Sequence, residues 1–455
     1  MTVAYHAPQA LLPEGWASDV RLEVDADGNL ESVRPGASGE ACERLAGAVL
    51  PGMVDLHCHA FQRALAGLVQ HLAPGEASFW TWRETMYRFL ERLAPEDVTA
   101  IAAQLYVELL AGGYTTVCEF HYLHHDRDGR AYADPATMAW AIDAGARRAG
   151  IALTLLPVIY LTGGFDGRAL EGGQRRFRLD PAGALDLLDR VGRRFGDDPD
   201  RALGLAPHSL RAVPPAALAE AVRGADPAWP LHIHVAEQLR EVRDCLEATG
   251  RRPLRQLAEL VGLGARWCLV HATHLDDEEV RLLTSSGAVA GLCPTTEADL
   301  GDGLFRLADH FDGGGRLGVG SDSNVGTDAF AELRLLEYGQ RLTSLRRLVG
   351  ASEAEPSTGG RLWRAALAGG AQASGRAVGR LAAGSRADLL VLDGADPTLA
   401  GLDGDMLLDA LIFGPGRVPV RDVMVGGRWV LRDGVHPQRA PIAAAYGEVL
   451  ARLVA

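Results

Sequence analysis

The 455-residue chain contains no lysine, and all 45 of its basic residues are arginine. Biased genomic base composition accounts for this simply, but the absence has chemical consequences. No lysine can form a Schiff base with a carbonyl substrate, and none can be carboxylated to bridge two metal ions. Cysteine is sparse. The six, at positions 42, 58, 118, 245, 268 and 293, include no CxxC pair, which in a chain this long points to reduced thiols and a cytoplasmic protein. Positive charge is in deficit. A net charge of −14 and a pI near 5.5 speak against a nucleic-acid partner, which needs basic patches. They leave anionic small molecules open, because a few local arginines can outweigh a global field. Long apolar runs are missing too. No stretch reaches 18 apolar residues, so no membrane span is expected. The N-terminal MTVAYHAPQALLPEGW shows no basic segment followed by an apolar one, so no signal peptide is expected. No GxGxxG fingerprint occurs, which disfavours a doubly wound dinucleotide-binding sheet.

What is present is core material in quantity, 47% hydrophobic residues at a mean hydropathy close to zero. That suits one large domain and a smaller one. Residues 1–50 read as short strands and turns: DVRLEVDADGNLESVRPG alternates apolar and polar positions and turns at Asp27-Gly28. Residues 384–455 read the same way, with ADLLVLDG, then VRDVMVGGRWVLRDG around a Gly-Gly hairpin turn, and close on a helix. The middle, 51–383, has a different rhythm. Apolar runs recur at AVLPGMVDLH, YTTVCEFHYL, IALTLLPVIYL, RALGLAPHSLR, PLHIHVAEQ, RWCLVHATHL, AVAGLCPTTE and RLGVGSDSN. Stretches with i, i+3, i+4 apolar spacing separate most of them, such as PEDVTAIAAQLYVELLAGG. Strands alternating with helices in this way predict a (β/α)8 barrel.

In such barrels the chemistry sits at the C-terminal strand ends, and polar residues gather there: His57 and His59, Tyr122, His208 and Arg211, His234 and Glu237, His271, and Asp322. In His57-Cys58-His59 both imidazoles face one way and Cys58 the other, because strand side chains alternate. Two imidazoles on one strand can bind one metal ion. His232 and His234 form a second such pair. His234 is nearer the rim and is the expected ligand, whereas His232 is expected to be packed or to support a ligand. Asp322, in GVGSDSN, is either a turn or cap residue or a ligand that also accepts a proton from water. With three histidines converging, the ligand reading is preferred. Three imidazoles and a carboxylate suit a borderline divalent ion, Zn²⁺ foremost, with iron and manganese as alternatives. The missing lysine favours one ion.

PGMVDLHCH, HVAEQ, VHATHL, GVGSDSN and GRLAAGSRADLLVLD resemble the amidohydrolase superfamily over nearly the whole chain. Within it, HCHAFQRALAGL, FWTWRETMYRFLERL, EFHYLHHD, GGQRRF, APHSLRAV and CPTTEADLGDGLF are similar to the formimidoylglutamate deiminases. One departure is Cys58, where serine is expected. The resemblance implies a barrel joined to a small β-sandwich built from both chain ends, and a homodimer. It implies a metal site of His57, His59, His234 and Asp322. Glu237 would shuttle protons, and His271, with Asp322, would take the proton of water. Water would then attack a formimino carbon, and ammonia would leave a substrate that becomes N-formyl-L-glutamate. Gln62, Arg83, Tyr122, His208 and Arg211 would hold this dicarboxylate, for which arginine forks are well suited. Read without the resemblance, Arg83 is a helix surface charge and Glu237 a solvated charge at a helix start. His121, His124 and His125 are expected to be solvated or supporting histidines. Two other functions compete: deamination of an aminopurine, which needs a pocket for a flat ring, and a catalytically dead barrel, which needs a lost ligand or acid.

Overall fold

The computed structural model describes residues 2–70, 79–414, 416 and 418–454. Every apolar run of the middle segment forms a strand: β1 (Met53–Cys58), β2 (Tyr114–His121), β3 (Ala152–Ile159), the short β4 (Arg201–Leu203) and β5 (Ala206–Pro207), β6 (Leu231–Val235), β7 (Trp267–His271), β8 (Val289–Leu292) and β9 (Arg316–Val319). They are buried almost throughout, which is why they read as continuous apolar runs rather than alternating ones. All pair in parallel. β1, β2 and β3 are successive neighbours, and β3 pairs with both β4 and β5. Bridges from Leu205 to Leu231 and from Ser209 to His234 lead to β6. The ladder continues through β7 and β8 to β9. A last bridge joins Cys58 to Asp322, so the pairing returns to β1.

Helices connect these strands, and the sequence marks their ends. Proline opens the helices Pro95–Ala111, Pro181–Phe195, Pro215–Gly224 and Pro253–Val261, where its missing N–H costs nothing. Asp180 also caps the second of these, and Asp276, Asp328 and Ser357 cap others, by accepting from first-turn N–H groups. Glycines in the left-handed region end several, Gly150 and Gly250 among them. No described helix is long and apolar enough to cross a membrane.

Both chain ends meet in one sheet, of eight strands among the described residues. The N-terminal half contributes two ten-residue strands, Val3–Leu12 and Gly15–Val24, longer than the short strands expected from the sequence. Val3–Leu12 also pairs with Glu43–Arg44 near its start and with Val49–Pro51 near its end. The C-terminal strands Leu389–Leu392, Val420–Val425 and Arg428–Leu431 continue from Val49–Pro51, with the hairpin turn at Gly426-Gly427. This sheet has a core of its own, including Tyr5, Val20, Leu22, Val391 and Met424. Asp200, just before β4, ties it to the ring: its carboxylate accepts from Arg386 and Arg428, each at 2.6 Å. The helix Arg439–Val454 ends on Pro95–Ala111, where Arg452 meets Asp97.

The ring packs against the helix Thr358–Ser374 through bare backbone. A Cβ at Gly369 would collide with the carbonyl oxygen of Leu317 on β9, and one at Gly370 would meet Val54 on β1 at 2.9 Å. Gly369→Val should therefore cost roughly 1–3 kcal/mol or more, since overpacking forces backbone shifts. The check is the denaturant midpoint, and an unchanged midpoint would contradict the packing described here.

Candidate metal and active site

The strand ends bring the predicted residues together. His57 and His59 leave β1, His234 sits on β6, His271 ends β7 and Asp322 follows β9. One ligand atom each from His57, His59, His234 and Asp322 lies within 4.8 Å of the others, and all four residues are buried. Nε2 of His59 is 3.2 Å, and Nε2 of His57 3.4 Å, from Oδ1 of Asp322. Nε2 of His234 stands 3.1 Å from Nε2 of His57.

Hydrogen bonds behind the rings set the tautomers. Nδ1 of His59 lies 3.0 Å from the Phe120 carbonyl, and Nδ1 of His234 lies 2.9 Å from the His208 carbonyl. A carbonyl only accepts, so each Nδ1 carries the proton and each Nε2 presents a lone pair inward. Burial reinforces neutrality, lowering the pKa of His57 to about 3 and those of His59 and His234 below their ordinary value. The Nε2 lone pairs of His59 and His234 and the Asp322 carboxylate thus converge on one buried point. A divalent cation satisfies such a set of donors, and the set is one that zinc takes. The four residues therefore fit a metal ion.

Burial works to raise the pKa of Asp322, but the hydrogen bond from His57 and the positive charge of His271 hold it well below the carboxylate range. Glu237 stands on the other side of His271, whose Nε2 is 3.8 Å from Glu237 and 3.9 Å from Asp322. Burial raises the Glu237 pKa, partly countered by His271 and Arg211. Burial works to lower that of His271, yet Glu237, Glu297 and Asp322 together carry it to about 10. Burial and the charge of Glu237 push Asp302 up to about 9.

The backbone here is strained. Ala236, His271, Ala272, Asp322 and Asn324 all have positive φ, between 47° and 67°, a region non-glycine residues occupy at a cost of about 1–3 kcal/mol each when the surroundings enforce it. The surroundings do. Asp55 accepts from the Ser321 N–H at 3.0 Å, the Ser321 hydroxyl at 2.5 Å and the His57 N–H at 3.3 Å. Asn324 donates to the carbonyls of His59 and Asp322. Glu241 accepts from the N–H groups of Ala236 and Glu237, each at 3.2 Å.

The cavity over the cluster is lined by all five expected substrate residues, Gln62, Arg83, Tyr122, His208 and Arg211. Gln62 donates to the Tyr122 hydroxyl at 2.6 Å. Arg211 is buried, with a nitrogen 4.0 Å from Glu237. Arg83 comes from the helix Phe79–Leu90 and is buried enough to lower its pKa, unlike a surface charge. Of the FWTWRETMY motif, the side chains at 79–81 and 84 lie outside the described residues. Cys58 turns away from the cluster toward Asn324. His232 bonds the Ala373 carbonyl at 2.8 Å and is packed, as expected. His121 and His124 are buried rather than solvated, and His124 bonds the Val158 carbonyl at 3.0 Å. Neither belongs to the metal cluster.

Sequence reasoning missed Asp55, Glu241, Glu297, Asn324 and the cavity residues Trp82, Tyr87, Tyr160 and Phe177. Asp55 carried a signal: it stands two residues before His57, on the same strand face. Asp55→Asn should replace an acceptor with an amide that cannot serve all three donors. We expect metal affinity to fall about 10–100-fold, as for other residues that orient ligands, measured by competition with a chromogenic chelator. Unchanged affinity would remove Asp55 from the support of the site.

Comparison with known proteins agrees with this geometry. Residues 48–430 match the model of the amidohydrolase family, and residues 1–47 match that of the formimidoylglutamate deiminase N-terminal domain. A formimidoylglutamate deiminase of Pseudomonas aeruginosa is 53% identical over 451 residues, 99% of each chain. An 8-oxoguanine deaminase of the same species is 31% identical over 403 residues, 85% of this chain and 82% of its own. The crystal structure of an amidohydrolase from Brucella melitensis superposes with a TM-score of 0.94 at 45% identity, covering all of both chains. A zinc-bound adenosine deaminase from Xanthomonas campestris shares the fold, with a TM-score of 0.81 at 22% identity, over 99% of this chain and 98% of its own. The chain therefore belongs to the amidohydrolase family.

Proposed function

We propose that this protein is a formimidoylglutamate deiminase, hydrolysing N-formimino-L-glutamate to N-formyl-L-glutamate and ammonia in histidine degradation. The observation that carries the proposal is the placement of Arg83 and Arg211 in the same cavity as Glu237, His271 and the four-residue metal cluster. Identity of 53% to a deiminase of this name supports it. We read the closed ring of residues 51–383 as a (β/α)8 barrel. Residues 1–50 and 384–455 form a β-sandwich and its terminal helix in the same reading. Cytoplasmic location and a homodimer belong to this reading as well.

His57, His59, His234 and Asp322 would hold one divalent ion, which we assign as Zn²⁺. Bound there, it would supply an acidified water and polarise the reacting centre. His271 serves as a base in its neutral form, in which Nδ1 keeps its proton and Nε2 presents a lone pair. Asp322, at Oδ2, and His271, at Nε2, then take the proton of the attacking water. Glu237, whose raised pKa suits a group that alternately holds and gives up a proton, delivers one to the leaving nitrogen. Protonation there makes the amidine carbon electrophilic and lets ammonia depart. The two arginines hold the two substrate carboxylates, while Gln62, Tyr122 and His208 orient the formimino group.

Purified enzyme should release ammonia from formiminoglutamate and none from an aminopurine; the reverse result would favour a heterocycle deaminase, to which the aromatic lining also lends itself. Stripping the metal with a chelator should abolish turnover, and Zn²⁺ should restore it. Glu237→Gln should lower kcat by about 10²–10⁴-fold, the usual worth of a positioned acid–base group; an active variant removes Glu237 from the mechanism. Arg83→Met should raise KM by about 10–100-fold, since a charge-assisted hydrogen bond contributes roughly 1.5–3 kcal/mol. An unchanged KM would leave Arg83 outside substrate binding.

A further inference from the structure

We propose that Glu297 is the positioning residue of His271: its carboxylate accepts the Nδ1 proton and thereby presents Nε2, with its lone pair, to the reacting water. The inference rests on His271 taking that proton, as argued above. Glu297 Oε1 lies 3.3 Å from Nδ1, while Nε2 on the far side of the ring faces Glu237 and Asp322. A free imidazole distributes its proton between both nitrogens and turns about χ2. A carboxylate behind Nδ1 fixes both choices, as in other sites where an acid orients a catalytic histidine.

Glu297 is itself held for this task. It is buried, at 4% exposure, on the helix Pro294–Leu300. Its Oε1 accepts from the Cys293 N–H at 2.9 Å, and its own N–H donates to the Cys293 carbonyl at 2.9 Å. The residue belongs to the CPTTEADLGDGLF segment and does not line the substrate cavity, so neither ligand binding nor solvation accounts for a buried carboxylate here. The backbone adds a reason for such a brace. His271 and Ala272 both sit in the left-handed region, at φ 67° and 48°, where a relaxed chain would not hold the ring. Cys293 Sγ also lies close to the pair, but burial pushes its thiol pKa far up. A protonated thiol is a poor ligand, which disfavours a second metal at this point.

Glu297→Gln separates the roles. Its amide oxygen still serves both the Cys293 N–H and Nδ1, which share Oε1 in the parent, so only the charge behind the imidazole is lost. In the zinc-loaded enzyme we expect kcat for formiminoglutamate to fall about 10–100-fold, with KM within about twofold, the pattern of an interaction used in the transition state. Metal content and Tm should stay unchanged. Should that variant fail to fold, Glu297→Asp, which withdraws the carboxylate by one methylene, is read by the same criteria. A kcat within about twofold of the parent, or a loss that follows metal content or a KM rise, overturns the proposal. His271→Asn is the control. If it stays active, the role given to His271 fails; if it is inactive while Glu297→Gln is normal, only the role of Glu297 fails.

Discussion

The crowding of three imidazole nitrogens and one carboxylate into a space that calls for a cation is the constraint on which the rest of this structure depends. Hydrogen bonds to the carbonyls of Phe120 and His208 aim the Nε2 lone pairs of His59 and His234 into the cluster, and burial disfavours the protonation of both rings. The ring of parallel strands makes such crowding possible. It holds His57, His59 and His234 on two separate strands at fixed separation, and the Cys58–Asp322 bridge brings the last ligand beside the first.

Supporting groups follow from the same constraint. Asp322 and His271 stand on strained backbone, and strain persists only where other contacts over-determine it. Asp55, Asn324 and Glu241 supply those contacts by bonding to backbone N–H and C=O groups around the ligands. The ionisable groups then form a graded series around the cluster. Asp322 stays ionised, Glu237 is pushed toward the protonated form by burial, and His271 lies between them. That ordering is what a proton path from water to a leaving nitrogen requires. Arg83 and Arg211 line the same cavity, where the proposed reading has them meet the two substrate carboxylates.

Much of this was legible in the sequence. Buried parallel strands leave continuous apolar runs, so each ring strand appeared as a run. The ligands appeared because they terminate those runs. His232 and His234 could be told apart by their depth along one strand. The strained φ at Ala236, His271 and Asp322 left no mark, since alanine, histidine and aspartate carry no glycine-like signature. Glu241 was hidden because its partners are backbone N–H groups, and Glu297 because His271 lies far from it in sequence. For His121 and His124 the sequence left solvated and supporting roles open, and their burial excludes the first. The terminal strands read as short because the two ten-residue strands bear polar residues on their outer face.

The central claim is that these groups direct water to the formimino carbon and a proton to the terminal nitrogen, so that ammonia is the leaving group. Proton NMR of the products formed from N-formimino-L-glutamate tests this most directly. The account predicts N-formyl-L-glutamate and ammonia in equal amounts. Glutamate with formamide would mean that the other C–N bond breaks, and would contradict it.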